Sequence, residues 1–239
     1  MSGEMVSLPL FPLPLVLMPN APLTLHVFEP RYRAMVADCL AQRSLFAVVL
    51  VQHSAAHSAD LVTMQQMRDY LAVFPDADDE YPEYLPHLIA TEAIIDEHVR
   101  FDDGRYGLQC RGGRRIQITG LTQRMPYLIA NARSMPDTLS AATRAAAFAL
   151  RQMHARYWRA VQRASQQDIA VPELSDDDDV ALSWQLAHLM HVDTARKQLW
   201  LESSAPQRLR SMTVALRAER NTLPLHAPPT AFQVPWSWN

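Results

Sequence analysis

The sequence predicts an α+β protein whose first half is built of strands and whose second half is built of helices. Three observations carry this. Up to Ser134, short apolar and β-branched segments alternate with proline- and glycine-bearing turns. From Ser140 to Ser165 the chain is rich in Ala and Arg and holds neither Gly nor Pro, which is helix composition. About half of the 239 residues are apolar, 49% in all. That is enough for a sizeable core, and at roughly 100–200 residues per domain it predicts one large or two small domains.

The strand half reads as follows. Val6–Phe11 and Leu23–Phe28 are apolar segments interrupted or flanked by prolines, which lack the ladder N–H, so they are expected as edge-like strands. Glu29-Pro30-Arg31-Tyr32 opens a helix, with Pro30 at its first position and Tyr32, Met35, Val36 and Leu40 at helical spacing. Leu45–Val51 is a buried strand. Residues 52–86 weaken into loop, with one short helix near Thr63–Leu71 and an acidic, proline-flanked run, FPDADDEYPEY, that reads as a solvated insert. His87–Val99 resumes strand, and Asp102-Asp103-Gly104 is a hairpin turn. Arg105–Cys110 returns from it, Gly112-Gly113 mark a bend or bulge, and Arg114–Thr119 alternates. Tyr127–Ser134 closes the series. Short strands at this spacing predict a small barrel or sandwich.

After Pro136-Asp137 the helices begin. Ser140–Ser165 is the first. Ser175 to Asp179 supplies an N-cap and first-turn acids for an apolar run through Leu189. Two more helices fall near Thr194–Leu201 and Pro206–Asn221, with a corner at Ser203–Pro206. The expected domains are therefore 1–136, strand-built with an acidic insert near 52–86, and 137–221, helical. An extended or disordered tail is expected over 222–239.

Composition excludes several functions. A net charge of −3 disfavours nucleic acid, which asks for a basic stripe. No apolar run reaches the roughly 20 residues a membrane span requires. The N-terminal LPLFPLPLVLM is broken by three prolines and lacks a basic region, so no signal peptide is expected and a cytoplasmic location is. Cys39 and Cys110 form neither a disulfide framework nor a zinc motif, and read as buried hydrophobes. No phosphate-cradling GxxxxGK[ST] loop and no G-x-S-x-G elbow are present, and the single lysine, Lys197, lies within a helix of ordinary solvent-face residues. The pairs His53/His57 and His188/His191 have metal-ligand spacing, but the first falls in loop and the second straddles a helix end. The acidic residues 76–80 lack the glycine and bidentate glutamate of a calcium loop. No catalytic residue, metal or cofactor is expected.

The opening LPLFPLPLVLMPNAPLTLHVFEPRYRAMVADCL resembles the start of the N-terminal domain of Lon-type ATP-dependent proteases. DGRYGLQCRGGRRIQITG resembles that family's late hairpin, and WQLAHLMHVDTARKQLWLESSAPQRLRSM the helical end of its longer members. The resemblance spans about residues 5–221 and departs at 52–86. It implies a PUA-like β-barrel followed by an α-helical bundle, without the motor or the protease. It also implies a role in binding unfolded or partner polypeptide. An RNA-binding PUA-like barrel is the alternative, and a metal- or small-molecule-dependent enzyme ranks behind both.

Six residues are candidates for binding. Phe28, Glu29, Arg31 and Tyr32 stand at the strand-to-helix turn, where they would face a groove between barrel and helix. Otherwise Glu29 pairs with a basic residue and Tyr32 packs on the barrel. Arg114 and Arg115, with Arg111 and nearby Tyr106, form a small basic cluster. Leu8–Met18 is a further candidate: either it is buried, or part of it is exposed as an apolar patch or strand edge that takes an extended peptide.

Overall fold

The computed structural model describes residues 5–53, 84–166, 169–175 and 178–223. The chain divides into two compact units, residues 1–136 and 137–239. Among the described residues the first is a mixed sheet with one helix. The described residues of the second form four helices, so the fold is α+β.

The first unit runs β1 (Met5–Leu13), β2 (Pro22–Val27), α1 (Pro30–Gln42), β3 (Phe46–His53), β4 (Tyr84–Pro86), β5 (Ile89–Arg100), β6 (Tyr106–Gln123) and β7 (Ile129–Ser134). The strand order is β1-β7-β6-β5-β3-β4. β2 is added to β6, and β1 also pairs in parallel with β3. Leu8, Leu10, Ala47, Val49, Ala90, Ile116, Ile118, Ala130 and Ala132 form one buried cluster on alternate positions of five strands. Fully burying a Leu or Ile side chain contributes roughly 1.5–3 kcal/mol, so this cluster is a main source of the unit's stability. A second, aromatic layer stacks Tyr32 of α1 on Phe11 at 4.4 Å, with Phe46 5.9 Å beyond. In α1 the buried face is Tyr32, Met35, Val36 and Cys39, so the thiol takes the place assigned by spacing to Leu40.

Two sequence expectations are corrected here. The segments Arg105–Cys110 and Arg114–Thr119 are one continuous strand, β6. Its glycine pair sits at a bulge, between the Thr91↔Arg115 and Ala93↔Gly112 pairings. Gly112 is required for another reason. Its N–H donates to the Ala21 carbonyl, its carbonyl accepts from Asn20, and a Cβ there would overlap the Met18 carbonyl oxygen. Thr91 fastens the same loop by donating to the Leu17 carbonyl at 2.6 Å. The stretch 52–86 is not loop throughout. β3 continues to His53, and Tyr84–Pro86 pairs back onto Val51–His53 at the sheet edge, where a proline is tolerated. The short helix, the acidic run and His57 lie outside the described residues, as does the tail beyond residue 223.

The second unit runs α2 (Ala141–Ser165), α3 (Asp179–Leu189), α4 (Thr194–Glu202) and α5 (Ala205–Thr222). Local signals set their starts. Ser140 and Thr143 form a reciprocal capping box. Asp178 accepts from the Val180 N–H and Asp193 from the Arg196 N–H. Lys197 donates to the His188 carbonyl at 3.1 Å, in the last turn of α3, where a cation opposes the helix dipole. α2 packs against α5 and α3. Among them Arg208 is fully buried. It donates to Asp137 (2.6 Å), the Ser183 hydroxyl (2.9 Å) and the carbonyls of Trp200 (3.2 Å) and Ser203 (2.9 Å).

Candidate functional site

In the first unit, the end of β2 and the β5–β6 hairpin build an apolar face. The registers place His26 of β2 and Val99 of β5 on either side of Gly107 in β6. Gly107 has no side chain, and its neighbours use the space. A Cβ there would stand 3.0 Å from Val99 Cγ1 and 3.6 Å from the Phe101 ring. His26 stacks on Phe101 with centroids 5.7 Å apart. Yet this row is open to water: Val99 is 51% exposed and Phe101 41%. Phe28, the first residue past β2, is 63% exposed and continues the open positions Pro22, Thr24 and His26. Large apolar side chains gathered on an open face are the usual mark of a surface that meets another chain.

The hairpin tip is tied by its own hydrogen bonds. The Phe101 N–H donates to the Arg105 carbonyl, the Gly104 N–H donates to the Phe101 carbonyl, and Gly104 adopts φ 81°. Asp103 accepts from the Arg105 N–H and pairs with its guanidinium at 2.6 Å. The backbone bond foremost, then the Arg105 side chain, holds the Asp103 carboxyl below its ordinary range. Arg105 also lies 5.8 Å from the Phe101 ring centroid. Behind the hairpin, a groove of about 300 Å³ is lined by Pro30, Arg33 and Ala37 of α1 and by Arg100, Gly104 and Tyr106. Arginine and aromatic side chains together are the residue types enriched where proteins bind one another.

The predicted site residues separate. Phe28 belongs to the apolar face. Glu29 pairs with Arg31 at 2.9 Å, and the Arg31 guanidinium stands 4.6 Å from the Tyr32 ring centroid, so these two rim the same turn. Tyr32 is buried against Phe11 and anchors α1. Arg114 and Arg115 lie beyond the part of β6 that pairs with β2. Glu92, itself buried, receives two side-chain bonds from Arg114 at 3.0 Å. Arg115 is buried and donates to the Met135 carbonyl at 3.2 Å. Arg111 pairs with Asp96 at 3.4 Å. Thus each arginine of the cluster has an acceptor within the sheet unit, and Arg115 is buried. Leu8, Leu10, Phe11, Leu17 and Met18 are buried, and β1 is paired on both sides, so the open strand edge is not there.

Sequence reading passed over His26, Val99, Phe101 and Gly107. The available signal was the alternation Val99-x-Phe101 running into the DDG turn, which places both side chains on one face. What it lacked was the partner strand that makes that face the open one.

Reactive chemistry is thin. Among the described residues no three His, Cys, Asp or Glu side chains gather to hold a metal. Both cysteines are buried, and burial pushes the Cys110 thiol up to about 12, away from the thiolate that nucleophilic work requires. No helix among the described residues is long and apolar enough to cross a membrane.

Comparison with known proteins gives a consistent result. The family model of the ATP-dependent protease La (LON) substrate-binding domain matches residues 7–217. A solved Lon N-terminal domain protein from Xanthomonas campestris superposes with a TM-score of 0.56 at 24% identity, covering 87% of this chain and 98% of that one. The N-terminal domain of Mycobacterium avium complex Lon protease gives 0.53 at 16% identity, covering 90% and 99%. No curated protein matches the chain.

Proposed function

Because the chain belongs to the substrate-binding-domain family of the ATP-dependent protease La (LON), we propose that it is a non-catalytic module that binds unfolded or partner polypeptide. The binding surface in this reading is the face of His26, Phe28, Val99 and Phe101, rimmed by Glu29 and Arg31. The observation that carries it is the exposed row over Gly107, where apolar side chains stand open on a hydrogen-bonded hairpin. We read the sheet as the PUA-like β-barrel implied by resemblance, and the return pairing of β1 with β3 supports this. We also read the protein as cytoplasmic, which suits two buried free thiols.

The test is binding of the purified chain to a reduced, alkylated, permanently unfolded polypeptide and, in parallel, to single-stranded RNA, each at low and moderate salt. The expected result is binding to the unfolded chain that survives salt and drops about tenfold in Phe28→Ser, as for loss of an interface anchor. Salt-sensitive binding to RNA alone would sink this reading.

A further inference from the structure

β2 pairs with β6 along one edge only. Its other edge makes no backbone hydrogen bond among the described residues. Such an edge offers a row of unpaired N–H and C=O groups to any extended chain, and proteins usually blunt it with charge, bulges or prolines. β2 is hardly blunted. Pro22-Leu23-Thr24-Leu25-His26-Val27 carries no lysine, arginine or carboxylate, and Pro22 guards only its first position. Its register with β6 runs from Pro22 to Val27 without a shift, whereas the β5–β6 and β6–β7 pairings are both bulged. The same strand leads into the exposed ring of Phe28, so edge and apolar face are continuous.

From this we infer that β2 receives an extended segment of client polypeptide as an added strand. The client's main chain bonds to the open edge, and every second side chain packs beside His26 and Phe28. The inference rests on the polypeptide-binding reading and specifies its mode. The six residues of β2, at roughly 3.3 Å each, span about 20 Å and so match an equally short extended segment. An uncharged edge beside aromatic rings selects a segment with apolar residues at alternate positions. Sequence tolerance follows, because the main chain supplies the bonds and side chains only tune the fit.

A fluorescein-labelled peptide of alternating Thr and Val or Phe, with Lys at both ends, tests this by fluorescence anisotropy. Two further versions carry N-methyl groups on alternate backbone nitrogens, one on the odd and one on the even positions. In an antiparallel or parallel ladder only one set of N–H groups faces β2. One methylated version is therefore expected to bind about tenfold or more weakly than the parent, while the other binds like it. Hydrogen exchange at alternate amides of residues 23–27 is expected to slow in the complex. If both methylated versions bind like the parent, strand addition is overturned while polypeptide binding stands. If the parent peptide is silent while the unfolded polypeptide binds, the edge is not the site. Silence toward both removes the underlying reading as well. Self-association of the chain without peptide, abolished by Thr24→Lys, would assign the edge to a second copy and overturn the client.

Discussion

Arg208 in the helical unit and Arg105 in the sheet unit each lie against an aromatic ring, but in opposite surroundings. The Arg208 guanidinium carbon sits 3.3 Å from the Trp184 centroid, with no exposed surface and with its donors bound to Asp137, Ser183 and two carbonyls. The Arg105 guanidinium sits 5.8 Å from a Phe101 ring that is itself open to water. A buried charge is tolerated only when each of its hydrogen-bonding groups is met, so Arg208 is committed to holding α3, α4 and α5 together. At the hairpin no such commitment exists. The Phe101 ring is met by His26 and Arg105 and still keeps 41% of its surface open to water. The difference separates scaffold from the proposed recognition surface, although both are made from the same residue types.

The largest effect that would break this contrast comes from Arg208→Met. Removing one member of a buried pair leaves Asp137 without its cation, and about 3–5 kcal/mol of stability is expected to be lost in chemical denaturation. A loss under 1 kcal/mol would show that the network is not structural. Gly112→Ala comes next. Its Cβ meets the Met18 carbonyl, and fixed backbone yields poorly, so about 1–3 kcal/mol is expected to be lost from the sheet unit.

A third prediction concerns pH. Burial lowers the His154 pKa from 6.5 to about 4, and Nε2 accepts the Trp158 indole N–H at 2.9 Å, a bond that only the unprotonated nitrogen makes. The unfolded chain takes up this proton below about pH 6.5, while the folded chain resists it until about pH 4. The stability of the helical unit is therefore full above pH 6.5 and declines as pH falls toward 4. His154→Gln is expected to flatten that decline in thermal unfolding monitored at several pH values. The smallest effect sharpens the contrast from the other side. Phe28→Ser is expected to change stability by no more than about 0.5 kcal/mol, because the ring is mostly exposed, while weakening polypeptide binding. Equal losses in both would place Phe28 in the scaffold.

The helices, the Pro30 and Asp178 starts and the order of strands before helices were legible because they depend on local chemistry. Ser140 with Thr143, Asp178, Asp193 and Pro30 each act within one turn of their own position. The Asp102–Gly104 turn was legible for the same reason. Phe28 was legible as a candidate because an aromatic residue just before Glu29-Pro30 stands where a strand gives way to a helix. What was not legible required a partner distant in sequence. Arg114 and Arg115 read as a free basic cluster until Glu92 and Met135 were brought beside them by pairing of β5 and β7 with β6. For Leu10 and Phe11 burial and exposure both stayed open in the sequence, and the enclosure of β1 by β3 and β7 decided for burial. His26, Gly107 and Val99 are scattered along the chain and became one row only through two strand registers. Sequence by itself determined which segments are helix and most of those that are strand, since backbone preference and capping are short-range. Tertiary structure alone decided which charged and apolar side chains are spent inside and which stay open, since that depends on what each strand lies against.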